Sequence, residues 1–209
     1  INLRLTNQQI FEYPTIAELA EVASKTETIL AEQGTIQGLV PLTPTQHWFF
    51  EQNRLDTHHW NQAILLEVRQ PLNLARLEQV MQHLLVHHDV LRLRFQPEES
   101  GWKQINASLG SEPLVRITFF DLGVHKPSRL LFIIHHLLVD VGSWRILLED
   151  IETAYQQLSQ GQEIKLSPKT TSFKQWAERL TEYAQSTELQ REQVYWLAAS
   201  REWVSPLPV

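Results

Sequence analysis

FIIHHLLVDVGSW, residues 132–144, runs an apolar segment into a polar turn and carries two adjacent histidines at the junction. RLLFIIHH (129–136) reads as a strand, and SWRILLEDIETAYQQL (143–158) reads as a long helix capped by Ser143. Successive residues on a strand point to opposite faces, so His135 and His136 cannot look into one cavity. That spacing counts against a two-histidine metal site, because helical metal pairs use i,i+4 spacing and no third ligand is evident. One histidine is then structural and the other faces a cleft, where imidazole is the side chain best suited to moving a proton at physiological pH. Asp140 needs a partner if it is buried, and Arg92 or Arg94 is available to it. It reads as scaffold rather than nucleophile.

Working outward, the segments alternate. AILLEVR (63–69), VLRLRF (90–95) and LVRITFFDL (114–122) read as strands, and the polar PEESG (97–101) as a hairpin tip. LNLARLEQVMQHLLVHH (72–88) is amphipathic, with Leu74, Leu77, Val80, Met81, Leu84 and Leu85 at helical spacing. Thr43 and Pro44 open a further helix as N-cap and first helical residue. SFKQWAERLTEYA and LQREQVYWLAA add two more. Near the start, residues 7–32 read as helical, with a capping box formed by Thr15 and Glu18. QGTIQGLVP follows and has the composition of a domain boundary. Strands and helices in this order indicate an α/β protein, an α+β sandwich.

Composition narrows the function. The chain has 209 residues, 43% of them hydrophobic and 20% charged, and a net charge of −6. An acidic balance argues against nucleic acid or an anionic membrane as partner. No apolar run reaches the roughly 18–20 residues of a spanning helix. Without a cysteine, disulfides, thiolate nucleophiles and cysteine-type zinc sites are excluded. A cytoplasmic location is the default expectation, and the opening Ile1 in mid-pattern suggests a piece of something longer.

His-His occurs three times. His58-His59 lies in a polar loop, and His87-His88 at the end of an exposed helix turn, where histidines suit the helix dipole. Only His135-His136 has an apolar strand before it and an Asp-x-Gly-Ser turn after it, and spacing alone leaves its structural and chemical readings open. Elsewhere the bland readings hold. Trp48, Trp176 and Trp196 are expected in core or interface packing, and Glu149 and Asp150 on the solvated or capping side of a helix. Nothing resembles a phosphate-binding glycine loop.

HHLLVDVGSWRILLEDIETAYQQL (135–158) resembles the HHxxxDG motif of condensation-type domains in nonribosomal peptide synthetases, and its SWRILLEDIETAY resembles the epimerization subtype most. PLTPTQHWFFEQN (41–53) is similar to that subtype's opening motif PIQxWF, with Thr45 where isoleucine is usual. DTHHWNQAILLEV (56–68) and LLVHHDVLRLRF (84–95) look like its next stretches. QQIFEYPTIAELAEVAS (8–24) resembles the last helices of a peptidyl carrier domain. The likeness runs in linear order along nearly the whole chain.

The resemblance implies the N-terminal lobe of a chloramphenicol acetyltransferase-like fold over residues 41–209. It further implies a linker at 34–40 and the C-terminal helices of a carrier domain at 1–33. The implied reaction inverts Cα of an aminoacyl or peptidyl thioester carried on 4'-phosphopantetheine of the neighbouring carrier. His136 matches the motif's second histidine and is the implied catalytic residue. His135, Asp140, Arg92, Ser143 and Trp144 support it, with Asp140 bonded to Arg92. No metal and no directly bound cofactor are implied. The partners are the carrier domain and a missing C-terminal lobe, which supplies the partner glutamate. Self-association through the exposed lobe face is expected as well. Three departures stand out: no second lobe, no serine-containing carrier attachment motif, and DVGSW where the subtype reads DGVSW. Val141 thus puts a stiff, β-branched residue where glycine is usual, a swap expected to reshape the turn or narrow the channel. The alternatives are a peptide-bond-forming condensation domain and a non-catalytic lobe; Trp48-Phe49-Phe50 and Ser143-Trp144-Arg145 favour epimerization.

Overall fold

The computed structural model describes residues 3–4, 12–25, 31–52, 56–108 and 114–198. The chain divides into two compact units, residues 1–31 and 32–209.

In the smaller unit, β1 (Leu3–Arg4) pairs antiparallel with β2 (Ser24–Lys25), and α1 (Ile16–Val22) lies between them in sequence. The Thr15/Glu18 capping box is present as expected: Thr15 Oγ accepts from Glu18 N at 3.3 Å, and Thr15 N donates to the Glu18 carboxylate at 3.1 Å. The helix expected over 7–32 is shorter at its end, because Ala23 turns extended and the chain enters β2. Positions 7–11 and 26–30 of that expectation lie outside the described residues.

The larger unit holds two antiparallel three-stranded sheets. One has the order β3 (Gly38–Val40), β6 (Gly101–Asn106), β5 (Leu93–Glu98), and the other β4 (Asn61–Val68), β8 (Ser128–His135), β7 (Val115–Phe120). The helices are α2 (Pro44–Glu51), α3 (Leu74–His87), α4 (Val141–Ser159), α5 (Phe173–Ala184) and α6 (Thr187–Trp196). Residues 38–40, within the segment expected as a linker, form an edge strand against β6. PEESG turns the β5–β6 hairpin as expected, with Glu98 paired to Gly101 at its end. Gly101 takes φ 132°, a conformation that L side chains rarely adopt.

Alternation decides the packing. Leu130, Phe132 and Ile134 of β8 point to one face and are buried against Leu77, Val80 and Leu84 of α3 and Trp144, Leu147 and Ala154 of α4. Val40, Leu93 and Ala177 form a second, smaller cluster, where α5 meets the β3-β6-β5 sheet. The other face of β4-β8-β7 leaves Leu65 59% and Phe120 43% exposed. Trp48, Trp176 and Trp196 are each more than half exposed, so none belongs to the core. None of the helices among the described residues is long and apolar enough to cross a membrane.

VLRLRF is not strand throughout. Asp89–Arg92 forms a 3₁₀ turn, and β5 begins only at Leu93. The cause is Arg92, whose side chain is 2% exposed and therefore needs buried acceptors. Its guanidinium donates to the carbonyls of Ile36 at 2.8 Å and Ala107 at 3.3 Å, to those of Leu85 and Val86, and to Asp89 Oδ1 at 2.6 Å. A continuous strand would carry it away from the end of α3.

Candidate functional site

β8 ends at His135 and the chain turns at once, so the two histidines enter different surroundings. His135 is buried, lies opposite Asn61 in the β4 register, and sets its ring edge-on to Phe49 at 5.9 Å. Its Nε2 donates to the Thr57 carbonyl at 2.9 Å, which leaves Nδ1 to accept from Leu137 N at 3.2 Å. That pair of bonds needs the neutral ring. Burial holds its pKa below the ordinary 6.5, and His136 nearby acts in the same direction against the Thr57 bond.

A proton that the unfolded chain accepts near 6.5 is thus resisted by the folded one, so below that value the unfolded state binds more protons and stability falls as pH drops. Burial acts the same way on His87. The urea midpoint is expected to decrease from about pH 7 to about pH 5.5, and His135→Gln to flatten part of that slope. A midpoint rising toward acid pH over this window contradicts the assignment.

His136 is exposed, one residue beyond the strand, with its backbone N donating to the Trp60 carbonyl at 2.8 Å. Its ring lies nearly parallel to the Trp60 ring, 18° between planes and 6.1 Å between centroids. Nδ1 is 2.8 Å from the Val139 carbonyl, an acceptor only, so Nδ1 carries the proton. Nε2 stands 3.1 Å from the Gln62 amide nitrogen. Gln62 cannot be turned round, because its Oε1 accepts from Trp144 Nε1–H at 2.7 Å, and indole nitrogen only donates. The Gln62 amide therefore donates to His136 Nε2, and Nε2 holds a lone pair. Trp144 of α4, Gln62 of β4 and the β8 turn together fix both the tautomer and the position of a potential base.

Sequence reasoning missed Gln62. Its signal was the polar residue that continues the inward-facing series Ile64, Leu66 and Val68 on a strand of period 2.

Asp140 corrects an expectation. It is exposed, and its carboxylate caps α4, with Oδ1 accepting from Ser143 N at 2.7 Å and from Ser143 Oγ at 2.6 Å. These two bonds, the hydroxyl's first, hold its pKa below the usual carboxylate value. The hydrogen bonds of Arg92 go to Asp89 and backbone carbonyls rather than to Asp140, and Arg94 donates to its neighbour's carbonyl at Leu93. The N-cap is Asp140, not Ser143, because the helix starts two residues earlier than read. Its first N–H groups need an acceptor one turn ahead. Asp140→Ala is accordingly expected to cost about 1 kcal/mol, the loss of a cap, and a loss several times larger in urea unfolding would restore the buried ion pair.

Val141 is the first residue of α4 and 83% exposed. Gly142 has no left-handed φ, and a Cβ there would meet Asp140 Oδ1 at 3.5 Å, an ordinary contact. The swapped order strains nothing at the turn.

His136, Asp140 and Ser143 line a cavity of about 800 Å³, together with Gln46, Lys169 and Trp176. Lys169 Nζ donates to the carbonyls of Gly34 at 2.7 Å and Val86 at 3.2 Å and lies 3.6 Å from Asp89 Oδ2. Asp89 and Lys169 thereby anchor the wall behind Arg92, and neither was singled out from the sequence. The pair His87-His88 is half-buried rather than exposed, with His88 Nε2 at 2.7 Å from Asp150 Oδ2. Asp150 thus faces His88 instead of solvent.

Two three-stranded sheets with helices on the buried side put the HHxxxD turn, with His136, on the wall of a cavity. A model described as the condensation domain matches residues 36–108 and 101–208, and the chain belongs to that family of nonribosomal peptide synthetase domains, with a chloramphenicol acetyltransferase-like fold. It is similar to a linear gramicidin synthase of Brevibacillus parabrevis, 44% identical over 244 residues, which covers 99% of this chain and 5% of that protein. Tyrocidine synthase 2 of the same organism is 38% identical over 229 residues, covering 92% of this chain and 6% of its own length. The crystal structure of the epimerization domain from the third module of tyrocidine synthetase B superposes with a TM-score of 0.77 at 36% identity, covering 86% of this chain and 48% of that one. The starter condensation domain of rhizomide synthetase reaches 0.65 at 17% identity over 82% of this chain and 49% of its own, a likeness of fold alone. The chain therefore spans about half of such a domain structure and a small part of the synthases.

Proposed function

We propose that residues 41–209 are the N-terminal lobe of an epimerization domain and that His136 is its proton-transfer residue. Residues 34–40 are then a linker and residues 1–33 the end of a peptidyl carrier domain. The observation carrying the reading is His136 on the cavity wall, its Nδ1–H held by the Val139 carbonyl and its Nε2 left unprotonated in the bond from the Gln62 amide. The substrate is an aminoacyl or peptidyl thioester presented on the carrier's 4'-phosphopantetheine. Nε2 takes the Cα proton as the Gln62 amide gives up its bond to that lone pair, and the C–H electron pair moves into the thioester carbonyl. A proton returned to the opposite face re-forms the C–H bond with inversion. The group on that face belongs, by the family resemblance, to the C-terminal lobe. The outer face of β4-β8-β7, with Leu65 and Phe120 exposed, suits packing by that lobe, or by a second copy in the isolated chain.

The similarity to an epimerization domain at TM-score 0.77 and 36% identity supports this over peptide-bond formation. The two reactions separate on one requirement: epimerization needs no acceptor amine. A carrier loaded with an L-aminoacyl group and given to the parent synthetase without acceptor is expected to yield the D form on thioester cleavage. Purely L product without acceptor, with peptide formed once acceptor is added, would assign condensation instead.

A further inference from the structure

We infer that His87, His88 and Asp150 form a binding site for a late first-row divalent cation, with zinc as the reference ion. His87 is the last residue of α3 and His88 its C-cap, so the helix end delivers two imidazoles together, and Asp150 reaches them from α4. One donor atom from each lies within 4.8 Å of the others, and all three side chains are half-buried. In a tetrahedral zinc site with bonds of about 2.0–2.2 Å, donors stand roughly 3.4 Å apart, so small rotations close the set. Two imidazoles and a carboxylate are a donor set suited to zinc, with a fourth position left for water. All three residues line the cavity that His136 also lines.

His88 and Asp150 meet at 2.7 Å, and the His87 ring stands edge-on to His88, 4.8 Å between centroids. The neighbouring Lys169 ammonium is already set against Asp89 and two carbonyls. A bound ion would tie the end of α3 to α4 beside that cavity.

The test titrates the full chain with Zn²⁺ against a chromophoric chelator, and with Co²⁺ for the visible bands of tetrahedral coordination. One equivalent is expected to bind, at least about tenfold more weakly in His87→Ala and in the isosteric Asp150→Asn. The melting temperature should rise with Zn²⁺ in the wild type and not in Asp150→Asn, whose circular dichroism without metal reports that it is folded. The exposed trio Asp56, His58 and His59 supplies the control, because its ligand atoms also lie within 4.8 Å of one another. Removing His58 and His59 should leave the tight site intact. Equal affinity in wild type and Asp150→Asn, or a site lost with His58 and His59, overturns the inference.

Discussion

Arg92→Met is expected to lower the unfolding free energy by about 3–5 kcal/mol, the loss typical of breaking a buried ion pair from one side. Methionine keeps much of the volume, so the effect comes from what the guanidinium leaves behind. Asp89, whose side chain is 5% exposed, keeps only the Ile36 N–H at 3.2 Å and Lys169 at 3.6 Å. The carbonyls of Leu85, Val86, Ile36 and Ala107 lose their shared donor. These carbonyls come from the end of α3, the approach to β3 and the residue after β6, so the arginine joins three segments at one point. Urea unfolding measures the loss. A double-mutant cycle then locates the partner: coupling is expected between Arg92 and Asp89 and none between Arg92 and Asp140. Coupling to Asp140 instead would mean that the motif's aspartate holds the arginine after all.

On the proposed function, His136→Ala is expected to slow Cα epimerization by about 10²–10⁴-fold, the range for removing a positioned general base. The loss should fall on turnover with the fold intact, because His136 is exposed and its neighbours Trp60, Gln62 and Val139 keep their backbone places. His135→Ala should behave in the opposite sense. That ring packs on Phe49 and bridges Thr57 to Leu137, so its removal costs stability first. A variant of His136 that unfolds, or one of His135 that alone loses turnover, would exchange the two roles.

Much of the organisation was legible where period and caps agree. α3 shows its apolar face in Leu77, Val80 and Leu84, and α2 its Thr43-Pro44 start. The hairpin at PEESG was equally plain. Local pattern failed where a tertiary bond overrode it: Arg92 pulls Val90 and Leu91 out of a strand that alternates perfectly, and β3 forms from a glycine-flanked segment only because β6 offers an edge. The site divides in the same way. A strand's alternation separates His135 from His136, but the tautomer of His136 depends on Gln62 and Trp144, 82 residues apart in sequence. Asp140 looked like half of a buried pair because VLRLRF offers Arg92 and Arg94 and the family resemblance pairs it with Arg92. The structure gives its carboxylate to Ser143, since an N-cap three residues away is met before any distant partner.

Loss of deuterium from Cα of a carrier-bound, α-deuterated aminoacyl thioester tests the proton-transfer role most directly, with the parent synthetase compared against its His136→Ala form. Fast wash-out in the parent and a rate lower by at least about a hundredfold in the variant is the predicted result. Wash-out at the same rate in both would contradict it and remove His136 from the reaction.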